Sequence, residues 1–299
     1  QDYPTRAIRV IIPLTPGSGA DIAGRIVAKY LGDAFKHPVV VENRPGAGGN
    51  IGAEAVARAV PDGYTLLMGT TALASSPALY ANLAYDPTRD LAPVSLVVTM
   101  TNVLIVHPAL PAHSVKELLA LAQARPGTLT SASAGVGSSN HLALVLFNMM
   151  TGANIAHIPY KGAAPAVADV MGGHVAMTFV PIAAAVPPVK AGRLRALGVT
   201  GATRSAALPG VPTIDEAGVA GYEATSWNAL LAPAATPRDI VFKIHGALVE
   251  SLRTAKVREI LVSSGAEAVG NSPDEFARFL REEIAKWGKV IRAAGIKPE

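Results

Sequence analysis

The chain has 299 residues, of which 50% are hydrophobic and 16% are charged, and its formal net charge at pH 7 is +4. This composition excludes global disorder, and the length favours two lobes over one. The basic residues are scattered and not interleaved with aromatic residues, so a nucleic-acid partner is not expected. There is no cysteine, which excludes disulfides and cysteine-ligated metals. No apolar run reaches the roughly 18 residues of a membrane-spanning helix.

Strand-like runs alternate with helical patterns along the chain, which predicts an α/β fold with mainly parallel sheets. In chain order the predicted strands are residues 8–12, 39–42, 65–70, 94–106 (in one or two pieces), 129–132, 156–160, 175–179, 194–200 and 229–232. A helix is predicted at residues 21–35, a second from Pro237 towards residue 253, and a last one from Pro273 to about residue 294. The apolar face of the first helix is expected to consist of Ile22, Ile26, Val27, Tyr30 and Leu31.

Two extended stretches, around residues 99–102 and 222–228, are predicted to cross between lobes. One lobe then comprises residues 1–102 and 226–299, and the other comprises residues 103–225. Two crossings between α/β lobes form a central cleft that can open and close. The start at Gln1, with no methionine and no targeting segment, is that expected of an exported protein whose signal peptide has been removed.

A turn at residues 14–21 (LTPGSGAD) joins the first strand to the first helix. Such a turn directs backbone N–H groups and the positive end of a helix dipole at one point, which favours an anion. A similar segment, residues 131–141 (SASAGVGSSNH), precedes another helix, and shorter loops follow the strands at residues 43–50, 69–72 and 159–162. In an open parallel sheet these loops meet at the carboxyl edge, where ligands bind.

Polar residues in these turns also have purely structural interpretations. Asp21 is more often a helix cap than a ligand contact, and Ser138 and Ser139 are suited to capping the next helix. His141 falls in the first turn of that helix, where solvated or packed histidines outnumber functional ones. Lys161 is usually a surface charge, although its place at a strand–helix junction favours a role in binding.

An NAD(P)-dependent oxidoreductase is the alternative reading, because Gly17, Gly19 and a later Glu42 imitate a dinucleotide fingerprint. The fingerprint needs Gly or Ala at position 22, which is Ile22, and the turn contains Pro16. The sequence has no GxSxG or HExxH motif, no Walker-type loop and no metal-type histidine spacing. These absences favour a binding protein without catalysis, cofactor or metal.

Seven segments, in order along the chain, resemble the substrate-binding proteins of tripartite tricarboxylate transporters (the Bug or TctC family). They are residues 3–13 (YPTRAIRVIIP), 41–49 (VENRPGAGG), 61–66 (PDGYTL), 157–162 (HIPYKG), 190–200 (KAGRLRALGVT), 212–218 (PTIDEAG) and 231–237 (LAPAATP). The resemblance implies a periplasmic, monomeric, two-lobed binding protein of type II, the Venus flytrap, with a central cleft. Its ligand would be a small carboxylate, delivered to membrane transporter subunits or presented to a sensor kinase.

The resemblance further implies a site made of backbone amides, hydroxyl groups and bridging water. The residues expected to form it are Leu14, Thr15, Gly17, Ser18, Gly19, Ala20, Asp21, Thr70, Thr71, Ser133, Ala134, Gly135, Gly137, Ser138, Ser139, His141, Tyr160, Lys161 and Phe179. Relatives commonly carry Asp after the position of Gly173, whereas residues 175–181 (VAMTFVP) hold no carboxylate. An organic or aromatic acid is therefore expected rather than an acidic amino acid.

Overall fold

The computed structural model describes residues 3–160 and 162–296. Within these residues the strands are β1 (Ile8–Ile12), β2 (Val39–Asn43), β3 (Thr65–Thr70), β4 (Leu91–Met100), β5 (Asn102–Val106), β6 (Thr130–Ser133), β7 (Ala156–Pro159), β8 (Met177–Pro181), β9 (Arg195–Val199), β10 (Ser226–Pro233) and β11 (Ala266–Ala268). The α-helices are α1 (Gly19–Phe35), α2 (Asn50–Ala57), α3 (Ala72–Leu79), α4 (Val115–Ala124), α5 (Ser139–Thr151), α6 (Ala163–Met171), α7 (Ile182–Lys190), α8 (Arg238–Arg253), α9 (Ala255–Ser263) and α10 (Pro273–Ala293). Across the described ranges, no helix combines the length and apolar character needed to cross a membrane.

The strands form two sheets, which confirms the predicted α/β class. One sheet has the order β11-β4-β10-β3-β1-β2 and the other the order β7-β6-β8-β5-β9. The sheets also contain antiparallel pairs, because β10 runs antiparallel to β3, and β5 runs antiparallel to both β8 and β9.

The chain divides into two compact units. Unit 1 contains the described residues up to Thr99, together with Trp227–Arg292 and Ile296, and unit 2 contains Met100–Ser226 and Ala293–Gly295 apart from residue 161. The unit boundaries lie between residues 99 and 100 and between residues 226 and 227. The sequence prediction placed them between residues 102 and 103 and between residues 225 and 226.

In unit 1, α1 packs closely on the sheet because small residues face it. A Cβ added to Gly24 would lie 2.2 Å from Cδ1 of Ile12 in β1. Ala20, Ala23, Val27 and Leu31 are among the buried residues of this helix. Ile22 was predicted on the buried face, but it is 42% exposed, since the small residues at 20, 23 and 24 take the contact with the sheet.

In unit 2, the two faces of the sheet carry different cores. Val103 of β5 and Val180 of β8 belong to a core that includes residues of α6 and α7. Phe179 of β8 faces the other way, and its ring lies 6.0 Å from that of Phe147 in α5. Helix α5 therefore covers the second face, and its first turn is the segment singled out in the sequence.

Candidate functional site

The first candidate element is turn 1, residues 14–21, between β1 and α1. Ser18 has extended backbone angles (φ −69°, ψ 161°) and caps α1, with its Oγ accepting the N–H of Asp21 at 3.2 Å. The preceding Gly17 has φ +83°, a left-handed conformation that favours glycine, and its N–H donates to Oδ2 of Asp21 at 2.9 Å. Gly17 and Ser18 are thus both bonded to the last residue of the turn, Asp21.

The carboxylate of Asp21 is buried, at 4% exposure, and both of its oxygens accept hydrogen bonds. Oδ2 also accepts from Nε of Arg25 at 3.0 Å, and Oδ1 accepts from Nδ2 of Asn43 at 2.9 Å. Asn43 donates in addition to the carbonyl of Leu14 at 3.0 Å. Burial alone would raise the pKa of Asp21, but the hydrogen bonds from Arg25, Gly17 and Asn43 hold it below its ordinary value. Asp21 therefore stays ionised and positions the turn.

This arrangement leaves two donors directed outward. Gly19 and Ala20 are the first two residues of α1, and the N–H groups of such residues have no acceptor inside their own helix. Among the hydrogen bonds of the described residues, none uses these two N–H groups. The positive end of a helix of 17 residues lies at the same place, so turn 1 is suited to an anion.

Turn 2, residues 133–141 between β6 and α5, repeats this construction. Ser138 (φ −64°, ψ 158°) caps α5, and its Oγ accepts the N–H of His141 at 3.3 Å. Gly137, with φ +75°, donates its N–H to Nδ1 of His141 at 3.1 Å. In both turns a glycine immediately precedes the capping serine, and its N–H donates to the side chain of the residue three places after that serine. Asp21 and His141 are the equivalent residues.

Turn 2 likewise leaves N–H groups at the start of its helix. Ser139 and Asn140 are the first two residues of α5, which is 13 residues long, and across the described residues no hydrogen bond uses their backbone N–H groups. The side chain of Asn140 is occupied elsewhere, because its Nδ2 donates to the carbonyl of Phe179 in β8. This bond fixes the first turn of α5 to the end of the sheet.

Two stacked histidines stabilise turn 2: His141, which belongs to the turn, and His157 in β7. The rings of His141 and His157 stack with centroids 4.0 Å apart, and Nε2 of His157 lies 2.5 Å from Oγ of Ser133. That hydroxyl oxygen in turn accepts the N–H of Gly135 at 3.1 Å. Burial, together with the neighbouring His157, lowers the pKa of His141 to about 4, and burial lowers the pKa of His157. Both imidazoles are therefore neutral at pH 7, and Nδ1 of His141 can accept.

The donors of both turns are uncharged. Residues 14–21 and 133–141 contain no Lys or Arg, and the one carboxylate among them, that of Asp21, is turned inward. In the part of the chain that the structure describes, no group of three His, Asp or Glu side chains could hold a metal ion. The turns can thus bind an anion through backbone dipoles and hydroxyl groups.

Comparison with known proteins identifies the family of the chain. The sequence profile described as "Tripartite tricarboxylate transporter family receptor" matches residues 23–296. The chain belongs to this family. Among solved structures, the receptor resembles a Rhodopseudomonas palustris protein, Rpa4515, that holds adipate, with 38% identity, a TM-score of 0.91 and coverage of 99% of this chain and 100% of that one.

Two further solved structures are similar to the receptor. The periplasmic binding protein BugD is 32% identical, with a TM-score of 0.88 and coverage of 99% of this chain and 100% of its own. MatC from Rhodopseudomonas palustris, solved with bound malate, is 31% identical, with a TM-score of 0.86 and coverage of 97% of this chain and 100% of its own.

In unit 1 of the receptor, Thr70 is the last residue of β3, the strand beside β1, and Thr71 follows it. Oγ1 of Thr70 accepts the N–H of Ala72 at 3.3 Å, and Oγ1 of Thr71 accepts the N–H of Trp227 at 3.2 Å. Both side chains are buried. Since β3 and β1 are parallel, the two threonines lie at the same sheet edge as turn 1.

Besides Thr70 and Thr71, three predicted site residues fall outside the two turns. Phe179 is fully buried in the core of unit 2, so its ring serves packing. Tyr160 packs against the core on the other face of the sheet, and its hydroxyl donates to Oδ2 of Asp169 at 2.5 Å. Neither side chain takes part in the hydrogen bonds of turn 2. Lys161 lies outside the described residues.

Sequence reasoning missed the residues that hold the turns in place. Asn43 binds turn 1, and His157 binds turn 2 through Ser133. Asn43 ends a strand next to β1, and His157 lies in a strand next to β6. A polar residue near the end of a predicted neighbouring strand was the signal that could have found them.

Proposed function

We propose that this receptor captures a small organic acid in the periplasm and delivers it to a tripartite tricarboxylate-type transporter. The observation that carries the proposal is the repeated construction of turn 1 and turn 2. Each turn orders a Gly-Ser segment and presents two backbone N–H groups at the start of a long helix.

The chemistry of the turns favours a carboxylate. Backbone N–H groups bind an anion without a buried positive side chain, so the complex carries no fixed ion pair that would oppose release. The solved relatives that hold adipate and malate support the same ligand class. A periplasmic location is supported by the likeness to BugD, which is named a periplasmic binding protein.

An organic acid is favoured over an amino acid. The α-ammonium group of an amino acid needs an acceptor, usually a carboxylate, when it is buried. Residues 175–181 contain no Asp or Glu, and the carboxylate of Asp21 already accepts from Gly17, Arg25 and Asn43. We therefore propose a ligand with carboxylate and neutral groups.

The ligand class can be tested by isothermal titration calorimetry on receptor that has been unfolded, washed and refolded to remove co-purified ligand. The probes are adipate, malate, succinate, nicotinate, aspartate, glutamate and NAD. We expect saturable binding of at least one organic acid and weaker binding of both amino acids. Tight binding of aspartate or glutamate with the organic acids inert would overturn the ligand class, and a response to NAD alone would overturn the binding-protein function.

The role of the unused N–H groups of turn 1 and turn 2 can be tested with proline substitutions. Gly19 and Ser139 are the first helical residues, where proline is tolerated, and Ser18 and Ser138 before them already have the extended backbone that a following proline requires. Gly19→Pro and Ser139→Pro each delete one N–H, whereas the controls Gly19→Ala and Ser139→Ala retain it.

We expect each proline variant to weaken binding of the same ligand at least tenfold, while its melting temperature stays close to that of the matched alanine variant. Equal affinities of the proline and alanine variants would show that the N–H groups are not used. Loss of binding in only one proline variant would limit the site to one turn.

A further inference from the structure

Unit 2 contains a buried carboxamide that no described residue satisfies. Asn102 begins β5 and is fully buried, yet within the described ranges neither its Nδ2 nor its Oδ1 has a hydrogen-bond partner. Its main chain is firmly held, because the N–H donates to Oγ1 of Thr200 at 3.0 Å and the carbonyl accepts the N–H of Thr200 at 2.8 Å. A buried polar group without a partner is costly and rare, so this side chain calls for a partner that the described residues do not supply.

The register of the sheet places Asn102 on the face that α5 covers. Asn102 pairs with Pro181 across β5 and β8, and Leu104 pairs with Phe179. Alternate residues of a strand share a face, and the ring of Phe179 meets that of Phe147 in α5. Asn102 therefore projects to the α5 side.

The direction of the strands places Asn102 at the end of the sheet that bears turn 2. β5 is antiparallel to β8, so its first residue is level with the last residue of β8. β6 is parallel to β8, and turn 2 leaves from the same end. Asn140, in the first turn of α5, is bonded to the carbonyl of Phe179, which is two residue pairs along β5 and β8 from Asn102. The unpartnered carboxamide thus lies on the same face and at the same end of the sheet as the N-terminus of α5.

We infer that Asn102 is a specificity-determining ligand contact that selects 2-hydroxy acids. Nδ2 donates to an oxygen of the carboxylate held at turn 2, and Oδ1 accepts from a hydroxyl group on the adjacent carbon. A hydroxyl group fits better than an ammonium group, because β5, β6, β8 and α5 contain no Asp or Glu that would neutralise a cation. The inference rests on the proposed function and names its ligand more narrowly.

The test compares acids that differ only in the hydroxyl group. L-malate is paired with succinate, and 2-hydroxyadipate with adipate, so that the chain length need not be known beforehand. Affinities are measured by calorimetry for the wild-type receptor and for Asn102→Leu, which has a similar volume and no amide. We expect the wild type to prefer the hydroxy acid at least tenfold at the chain length that binds. In Asn102→Leu the preference should fall below threefold, through weaker binding of the hydroxy acid.

Asn148→Leu is the matched control. Asn148 lies in the same unit, but its Nδ2 donates to the carbonyl of Ile155 at 2.9 Å and its Oδ1 accepts the N–H of Ile155 at 3.3 Å. This change should lower the melting temperature and leave the preference unchanged, whereas Asn102→Leu should leave the melting temperature equal or higher. If Asn102→Leu folds poorly, Asn102→Ala removes the same two amide atoms and should show the same loss of preference.

An unchanged preference in the Asn102 variants, or a wild type that does not distinguish the paired acids, would overturn this inference while carboxylate capture stands. A wild type that binds none of the four acids would overturn it as well, and the wider ligand screen would then decide whether the proposed function fails too.

Discussion

The indole Nε1 of Trp227 donates to Oε2 of Glu283 across 2.9 Å, and the same oxygen accepts from Nε1 of Trp287 at 2.9 Å. One buried carboxylate on α10 therefore satisfies two buried indoles. Trp227 lies in β10, at the first residue of unit 1 after the chain leaves unit 2. The bond fixes that strand to α10 at the unit boundary.

Replacing Glu283 by leucine should lower the free energy of unfolding by about 2–4 kcal/mol, because two buried indole N–H groups lose their acceptor. Glu283→Gln retains one carbonyl oxygen and should cost about 1 kcal/mol. Urea denaturation followed by tryptophan fluorescence measures both. The neighbouring exposed Glu282→Gln serves as the control, and a Glu283→Leu variant as stable as this control would contradict the assignment.

Two helical glycines should respond to alanine in opposite directions. A Cβ at Gly52 in α2 would lie 2.9 Å from Cα of Pro13 and 3.0 Å from the carbonyl oxygen of Arg44, and neither backbone atom can move freely. Gly52→Ala should therefore destabilise unit 1 by about 1–3 kcal/mol. Gly246 in α8 is exposed with nothing within 4 Å, so Gly246→Ala should stabilise by about 0.5–1 kcal/mol. Urea midpoints give both values, and changes of equal sign would refute the close approach at Gly52.

The buried His141 should make stability depend on pH. Its pKa is lowered from 6.5 to about 4, so between these values the unfolded chain binds more protons than the folded one. The free energy of unfolding should fall by roughly 2–3 kcal/mol as the pH drops from 6.5 to 4, and this contribution should level off below pH 4.

His141→Asn tests this origin, since its side-chain oxygen can still accept the N–H of Gly137 and does not titrate. Urea midpoints measured from pH 7 to pH 4 should decline less in this variant than in the wild type. The decline that remains in the variant includes the contribution of His157. The exposed His113→Asn is the control for replacing a histidine outside turn 2. Identical slopes in all three proteins would exclude His141 as the source.

Asp21 should affect stability and binding together without touching the ligand. In Asp21→Asn, an NH2 group replaces one of the oxygens that accept from Gly17, Arg25 and Asn43, so at least one donor faces another donor. We expect a loss of about 2–3 kcal/mol in the free energy of unfolding and at least fivefold weaker binding of the preferred acid. Asp33→Asn, at an exposed position of the same helix, is the control. Unchanged affinity in a destabilised Asp21→Asn would mean that turn 1 keeps its shape without the carboxylate.

The strands and the helix starts were within reach of sequence reasoning, because they depend on neighbouring residues. Residues 8–12 and 65–70 were predicted with the bounds that the structure has, and Ser138 caps α5 as one interpretation expected. The buried face of α1 was not predictable from large apolar residues, since Ala and Gly make the contact with β1 and leave Ile22 exposed.

The residues that hold the turns in place could not be predicted from neighbouring residues. Asn43 and Asp21 are 22 residues apart, and Ser133 and His157 are 24 apart, so their pairing follows from strand order. The antiparallel direction of β5 is also what brings Asn102 to the end of the sheet near turn 2. A prediction of mainly parallel strands would place it at the opposite end.

The hydrogen-bond donors that turn 1 and turn 2 leave unused are main-chain N–H groups, which almost every amino acid supplies. Under the proposed function, substitutions within these turns can leave the donors for the acid in place, whereas substitutions of the flanking side chains can change which acid is bound. Related receptors can thus evolve a new ligand preference without a change in the backbone of these turns. A biosensor designer can follow the same route by preserving Gly17, Ser18, Gly137 and Ser138 and diversifying positions such as Asn102.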